Sequence, residues 1–388
     1  MTSDATSEGA TASSAGGARA TRRWVSWLAS ILGGAAIMAY ASRHLEIVPS
    51  SLTVPNPWWL VAAVALQVPY GLVRAIRIAP LLEASAAADL QEGAGEREAL
   101  VDRRVIMGSG LVAFLVVMVL PLRLGEAARP LLLARSPRPG HALATGAAVV
   151  ALERVLDGLF VVLMLFVGLL GLGGSAGEAG LEPAVSAAWQ ASGQSIGCLF
   201  AALLLLVFAV SRSPHRLDRL RAWTQARARW TVRVWTFAMN MLRALTPIWS
   251  AGWGALWFLV MSAGYWLLTA LQMWMTMRAC GIEAELMHAV LVVAVVGLSL
   301  QLPAGPAQLG SFQLGMAGSV ALLGAVPGVA AGGASFAAIM YLLSLFGAVA
   351  MALVGAGLLR PARDQPLPAS APRPNGPRSA IQDRSPAP

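Results

Sequence analysis

The chain has 388 residues, of which 57% are hydrophobic and only 12% are charged, whereas charged residues make up roughly 25% of an ordinary soluble domain. This composition excludes a soluble globular protein, and recurrent apolar runs near the 20 residues needed to cross a bilayer exclude a chain disordered throughout. The net charge of +9 comes from 28 arginines without any lysine, which excludes a P-loop and a Schiff-base lysine.

The arginines stand at the ends of apolar segments, where basic residues orient helices in a membrane. We therefore expect membrane lipids as partners and no nucleic acid. Cys198 and Cys280 have no CxxC spacing and the four histidines are scattered, so we expect neither a disulfide framework nor a metal site. The HExxH and GxGxxG motifs are missing, so we expect no cofactor and no enzymatic activity.

Apolar spans follow one another between two polar tails and predict an all-α polytopic membrane protein of eight to nine spans. They cover residues 24–44, 57–76, 105–121, 142–172, 194–211, 251–277, 286–302, 309–325 and 333–359. The first could be a secretory signal peptide, but its length favours a retained helix. We predict one transmembrane domain over 24–359, flanked by disordered cytoplasmic tails at 1–23 and, rich in proline, at 360–388.

The distribution of arginine conflicts with a simple up-and-down arrangement of these spans. Because cytoplasmic loops carry an excess of basic residues, Arg74, Arg77 and the arginines of 97–104 are predicted to lie in a cytoplasmic loop. The arginine-rich segment 212–243 should be cytoplasmic too, and the acidic loop 173–193 should lie outside. If every span crossed once, segment 212–243 would be outside, so one span cannot be a simple crossing.

The simplest solution is that residues 105–134 enter and leave the membrane on the cytoplasmic side. They would form either a span plus a broken half-helix or a re-entrant hairpin, bending near Pro121 and Gly125. The bend places three charged residues near membrane depth: Arg123, Glu126 and Arg129. Charges at that depth are tolerated only where they are buried in protein or line a wet cavity, so we predict a site here.

A second break is predicted between the spans at 286–302 and 309–325. Two prolines and two glycines stand there within eight residues, namely Pro303, Gly305, Pro306 and Gly310. Such a sequence cannot continue a helix, because each proline removes a backbone donor. It predicts either an ordinary cytoplasmic turn or, since interrupted segments mark substrate sites in membrane proteins, part of a binding site.

Three ionisable residues, Glu153, Arg154 and Asp157, occur within the otherwise apolar span at 142–172. At 100° per residue they share one face of a helix and predict a local charged cluster. Charged groups inside a membrane are costly, so they usually face the interior and mark a pathway. The alternative is a structural ion pair at the cytoplasmic end of the helix.

Two further patterns are weaker. Arginine alternates with leucine and tryptophan in 212–243, which is typical of a basic helix on an anionic leaflet, of a topological anchor, or of a docking segment for a cytoplasmic protein. The aromatic residues Trp257, Tyr265, Trp266 and Trp274 are interpreted as interfacial or packing residues without a role in a site.

Three motifs in order resemble the lysylphosphatidylglycerol synthase transmembrane region, a flippase-like family also called uncharacterised protein family 0104. They are Pro121-Leu-Arg123-Leu-Gly125-Glu126-Ala-Ala-Arg129, Glu153-Arg154-Val-Leu-Asp157 and Leu302-Pro303-Ala-Gly305-Pro306-Ala-Gln-Leu-Gly310-Ser-Phe-Gln313. The resemblance covers roughly residues 24–359. It implies a bacterial inner-membrane protein related to the domain that moves aminoacylated phospholipid between leaflets.

The chain departs from the family pattern in two ways. The usual Pro-Gly-Gly at the second break is Pro306-Ala307-Gln308 here, and the glutamate often found after the last glycine is Gln313. The synthase half of the family is not seen after residue 360, so we expect no aminoacyl transfer from tRNA.

The resulting hypothesis is a membrane protein that binds and translocates a phosphate-bearing lipid. Arg123, Arg129 and Arg154 would attract the phosphate, and Glu126, Glu153 and Asp157 would pair with them or meet a cationic headgroup. The break with Pro303, Gly305, Gly310 and Gln313 would supply free backbone groups. The alternatives are a noncatalytic accessory subunit of envelope polysaccharide or glycolipid assembly and, more weakly, an enzyme acting on a polyprenyl-phosphate lipid.

Overall fold

The computed structural model describes Pro49, Thr236 and residues 51–91, 101–120, 125–138, 141–171, 183–211, 252–302, 305–324 and 326–360. Within these ranges all regular secondary structure is helical, which confirms the predicted all-α class. Several sequence predictions lie outside the described residues, namely the span at 24–44, the arginine-rich segment 212–243, the tails, Arg123 and Pro303.

The first three helices follow each other almost without interruption: α1 (Pro57–Ala65), α2 (Gln67–Ile76) and α3 (Ala79–Gln91). Leu66 separates α1 from α2, and Arg77 and Ile78 separate α2 from α3; Leu66 and Arg77 keep right-handed helical backbone angles. Pro69 and Pro80 explain the breaks, because a proline cannot donate to the carbonyl four residues earlier and its ring crowds that turn. The result is one bent helical segment, not a span followed by a loop.

The remaining helices continue the chain to residue 358. They are α4 (Arg103–Val119), α5 (Ala128–Leu133), α6 (Leu143–Gly171), α7 (Pro183–Ser211), α8 (Trp253–Ala279), α9 (Leu286–Ser299), α10 (Ser311–Leu322) and α11 (Val329–Leu358). Three described segments are long and apolar enough to cross a membrane: Pro57–Ala87, Trp253–Ala279 and Val329–Leu358. The described chain therefore has the fold of a polytopic helical membrane protein.

Apart from the extension of the first segment through α3 and the short helix α5, the helix bounds agree with the predicted spans to within a few residues except at α7. This helix begins at Pro183, whereas the span was predicted from residue 194 and residues 173–193 were predicted to be a loop. Polar residues early in α7 lowered the apparent hydropathy. The hydroxyls of Ser192 and Ser195 donate to the carbonyl oxygens four residues earlier, Ala188 and Ala191, so they do not interrupt the helix.

The core is organised around α9, which packs against α6, α8 and α10. Eleven of its fourteen residues are buried. A helix that is apolar on every face has no side suited to water, so it belongs in the centre of the bundle. A second contact zone joins α11 to α4, where Gly108 and Gly355 bring the two backbones close together.

The first predicted break lies after α4. Leu120 leaves the helix with an extended backbone, and a short 3-10 turn at 125–127 leads into α5, which packs against α4 and α6. Gly125 lies against the backbone of α4 so closely that a Cβ would overlap Val116 and Val117. The chain therefore folds back on α4 at this glycine.

The second predicted break separates α9 from α10 and contains a 3-10 turn at Pro306–Gln308. Ala307 and Gln308 have φ angles of 58° and 57°, in the left-handed region that disfavours residues with a Cβ. These are the two positions at which the resemblance described above implies glycine. Their side chains are therefore held in a backbone conformation that glycine would adopt without strain.

We predict that Ala307→Gly combined with Gln308→Gly stabilises the protein. Glycine removes a left-handed penalty of roughly 1–2 kcal/mol per residue, partly offset by the greater freedom of the unfolded chain, so the free energy of unfolding should rise by about 1 kcal/mol. Thermal unfolding of the purified protein measures this. Ala321→Gly, inside α10, is the control and should destabilise the protein, because glycine is unfavourable within a helix. A lower melting temperature for the double variant would contradict the assigned backbone strain.

His141 lies between α5 and α6 and accepts a hydrogen bond at Nε2 from the backbone N–H of Asp102, 3.3 Å away. Burial lowers the pKa of His141 below its ordinary value. The folded protein therefore keeps this histidine neutral, whereas the unfolded chain binds a proton near pH 6.5. The contribution of His141 to the free energy of unfolding should be complete above pH 6.5. It should decrease as the pH falls from 6.5 towards the lower pKa of the folded state.

The second prediction is thus that the melting temperature decreases between pH 7 and pH 5, and that His141→Gln reduces this decrease. Glutamine offers an acceptor without a protonation step in this range. Thermal unfolding at a series of pH values checks the prediction, and an equally steep pH dependence in wild type and His141→Gln would refute it.

Candidate functional site

The structure brings the predicted residues of α6 together on one face. Arg154 lies 3.5 Å from Glu153 and 3.6 Å from Asp157 between charged side-chain atoms. It also lies 3.4 Å from Glu126 at the first break. Glu153 is fully buried, whereas Arg154 keeps about a third of its side chain exposed. The cluster therefore has a buried side and an open side.

The buried side is completed by Arg77, which the sequence analysis placed in a cytoplasmic loop. That prediction is wrong, because Arg77 lies in the bend between α2 and α3 and is only 1% exposed. Its Nη2 donates to Glu153 Oε1 at 2.7 Å and to Asp157 Oδ2 at 2.6 Å, and its Nη1 donates to Asp157 Oδ1 at 2.7 Å. One guanidinium thus joins both carboxylates of α6.

Arg77 could have been suspected from the sequence. Arg74 and Arg77 are three residues apart on a helix that the apolar pattern carries up to Ile76, and Tyr70 precedes Arg74 by one turn. Residues at this spacing share a face. The excess of carboxylates over arginine within α6 also required a cation from another helix, but the basic residues were interpreted only as topology signals.

Arg129 of α5 adds the second buried cation. It donates from Nη1 to Glu153 Oε2 at 2.9 Å and from Nη2 to the carbonyl oxygen of Ala75 at 2.5 Å. Gly110 of α4 leaves room for this side chain, since a Cβ there would lie 3.0 Å from Arg129 Nη2. The predicted residues Arg129 and Glu153 are therefore both used in joining α5 and α6 to the bend of the first helical segment.

The open side of the cluster faces a half-enclosed cavity of about 170 Å³. Glu126, Arg154 and Asp157 form its charged wall, and α8 and α9 supply much of its apolar wall. Gln308 and Phe312, from the second break and the start of α10, also line it. Both predicted breaks therefore contribute to the same cavity, although they are far apart in the sequence.

Arg74 of α2 lines the cavity beside two tyrosines. Its Nη1 donates to the hydroxyl of Tyr265 at 2.9 Å and to that of Tyr70 at 3.4 Å. Its guanidinium carbon lies 4.2 Å from the centre of the Phe114 ring, a distance at which a cation is attracted to an aromatic face. Arg74, like Arg77, was assigned to a loop and is instead part of the helical interior.

The aromatic residues of α8 require a partial correction. Tyr265 and Trp266 line the cavity, although they were interpreted as packing residues without a role in a site. Trp274 does pack, because it meets Trp59 edge to face and donates from Nε1 to the carbonyl oxygen of Ala284 at 2.9 Å. Tyr265 differs because its hydroxyl accepts a hydrogen bond from Arg74, and Trp266 packs edge to face against Tyr265 at the border of the cavity.

The predicted site residues Gly305, Gly310 and Gln313 of the second break form hydrogen bonds within the break itself. Gly305 donates its N–H to the carbonyl oxygen of Leu309 at 3.1 Å. Gly310 donates its N–H to Gln313 Oε1 at 2.8 Å, and this bond caps the start of α10. The prediction that this break offers free backbone donors is therefore wrong for Gly305 and Gly310. The break reaches the cavity through the side chain of Gln308 instead.

Within the described ranges, no group of three or more His, Cys, Asp or Glu side chains has the arrangement of a metal site. The carboxylates near the cavity lie against guanidinium groups. Such pairs satisfy each other's charge, and the chemistry of the site is that of ion pairing and hydrogen bonding.

Comparison with known families identifies the family of this chain. The family model described as the lysylphosphatidylglycerol synthase TM region matches residues 27–355. The protein therefore belongs to this family and is an integral membrane protein of that kind. Comparisons with curated proteins and with solved structures give no significant match.

We predict that Arg77→Gln destabilises the protein severely. Removing this guanidinium takes the shortest ion pairs from Glu153 and Asp157 and leaves Glu153 with Arg129 and Arg154, and Asp157 with the more distant Arg154. Breaking such a buried pair costs roughly 3–5 kcal/mol. Thermal unfolding in detergent measures the loss. Arg103→Gln is the matched control, because Arg103 is largely exposed and lies 3.8 Å from Glu83, where an ion pair contributes little. Equal melting temperatures for the two variants would show that Arg77 does not hold the helices together.

Proposed function

We propose that the protein binds a phosphate-bearing lipid in this cavity and moves it between the leaflets of the bacterial inner membrane, without changing it chemically. The observation that carries the proposal is the position of a half-enclosed, charged cavity between apolar helices. A polar headgroup cannot cross the hydrocarbon of a bilayer without a large cost in free energy. A cavity that offers ion pairs and hydrogen bonds midway lowers that cost.

The position of Asp157 supports this argument. It is the fifteenth of the 29 residues of α6, a helix about 43 Å long at 1.5 Å per residue. The hydrocarbon core of a bilayer is about 30 Å thick, so the middle of a helix of this length that crosses the membrane lies near the bilayer centre. Charged side chains there are expected to serve a pathway or a binding site.

The size of the cavity suggests which part of a lipid it holds. A cavity of about 170 Å³ can hold several water molecules, and so it has room for the phosphate of a lipid whose acyl chains lie outside it. The cavity is half open, so the chains would remain in the surrounding bilayer while the headgroup enters.

The arrangement in the membrane is part of the proposal. We place both termini in the cytoplasm, because the arginines before the first span, those of 212–243 and those after Leu359 share that side under the positive-inside rule. Segment 212–243 would then meet the anionic inner leaflet or a cytoplasmic protein.

The second candidate function is that of a noncatalytic accessory subunit of envelope polysaccharide or glycolipid assembly. The buried ion pairs among Arg77, Arg129 and Glu153 favour it, because such ion pairs suffice to hold helices together without any ligand. The open side of the cluster favours the transport proposal instead, since a purely structural network gains nothing from a cavity.

Leaflet exchange of fluorescent phospholipids in liposomes separates the two functions. The protein should accelerate exchange for at least one of the anionic, zwitterionic and cationic headgroup classes. A folded protein that accelerates none of them would support the accessory-subunit function.

We predict that Glu126→Gln slows this exchange at least tenfold while the protein remains folded. Glu126 lines the cavity and keeps about a quarter of its side chain exposed, so its charge contributes more to the cavity than to the core. Glu83→Gln is the control, because Glu83 is exposed and lies outside the cavity. Unchanged exchange in Glu126→Gln would remove this residue from the pathway.

A further inference from the structure

We infer that Arg74 is the anion-binding residue of the cavity and takes the phosphate of the bound lipid; the inference rests on the proposed function. The sequence analysis gave this role to Arg123, Arg129 and Arg154. Arg129 and Arg154 are already engaged by carboxylates. Arg74 belongs to another helix and reaches the same cavity.

The charges around the cavity do not balance. Four guanidinium groups and three carboxylates meet there: Arg74, Arg77, Arg129 and Arg154 with Glu126, Glu153 and Asp157. The described cluster therefore has one positive charge in excess. Of the four cations, Arg74 has no described carboxylate within 4.0 Å, so the excess is located on it.

The hydrogen bonding at the cavity also calls for an acceptor. Arg74 donates to two tyrosine hydroxyls through Nη1 alone, which leaves its Nε and Nη2 donors for another partner. One more donor of a cavity-lining residue, the buried Nε1 of Trp266, has no acceptor in the described structure. A buried donor without an acceptor is costly, and a ligand with several oxygen atoms could accept from these groups.

A phosphate meets these requirements. It is anionic, it accepts several hydrogen bonds, and it suits the planar fork of a guanidinium. The ring of Phe114 on one side and the hydroxyl of Tyr265 at Nη1 fix the orientation of Arg74 before the ligand arrives. Such preorganisation reduces the loss of side-chain freedom on binding. A neutral lipid such as diacylglycerol has no anionic group to offer this guanidinium.

The test is binding to the purified protein of phosphatidic acid, of diacylglycerol with the same acyl chains, and of inorganic phosphate. We expect phosphatidic acid to bind and to raise the melting temperature, and the other two to do neither. Arg74→Gln should weaken the binding of phosphatidic acid at least tenfold, because a hydrogen-bonded charge is lost. Arg74→Lys should retain part of the affinity, and Arg103→Gln all of it.

Three results would overturn the inference. They are undiminished binding of phosphatidic acid to folded Arg74→Gln, equal binding of diacylglycerol, and inorganic phosphate that stabilises the protein as strongly as the lipid, which would make free phosphate the ligand. Tyr265→Phe keeps the ring and removes only the hydroxyl beside Arg74, so it serves if Arg74→Gln does not fold. It should weaken phosphatidic acid binding several-fold, and wild-type affinity would count against the site.

Leaflet exchange measured on the same variants separates the two proposals. If phosphatidic acid binds through Arg74 but no lipid is exchanged, the function fails and the anion site stands. If wild type and Arg74→Gln exchange and bind phosphatidic acid equally well, the function stands and the anion site fails.

Discussion

The guanidinium of Arg77, held between Glu153 and Asp157, is the interaction on which the rest of the site depends. Burial of an ionised group is tolerated only when charge and hydrogen bonds are both satisfied. Arg77 meets this condition with two carboxylates at 2.6–3.0 Å and the hydroxyl of Ser262 at 3.3 Å. It thereby joins the bend between α2 and α3 to α6 and α8, and these elements then form walls of one cavity.

The cluster divides into two parts with different tasks. Arg77, Arg129 and Glu153 are buried and mutually paired, so they hold helices in position. Arg154 is held more loosely, at 3.4–3.6 Å from three carboxylates, and faces the cavity. The ion pairs on the buried side are short, whereas those of Arg154 on the open side are longer. A protein that admits and releases a charged group needs this combination, because the scaffold has to survive while its ligand changes.

Most of the fold could be predicted from the sequence, because helices that cross a membrane must be apolar over about 20 residues and breaks require proline or glycine. The cluster on α6 followed from helical spacing. The missing partners, Arg74 and Arg77, could not be recognised from span boundaries, since Pro80 ends one apolar run while the helical path continues. Backbone contacts within the second break, such as Gly310 with Gln313, depend on dihedral angles that composition does not determine.

Gln308 shows one consequence of the left-handed backbone conformation at the second break. With glycine at this position, as the family pattern usually has, no side chain would reach the cavity from this segment. Here the backbone keeps the glycine-like angle of 57° and an amide lines the cavity. The chain therefore has an additional side chain at the cavity, held by a backbone conformation that costs a residue with a Cβ some conformational free energy.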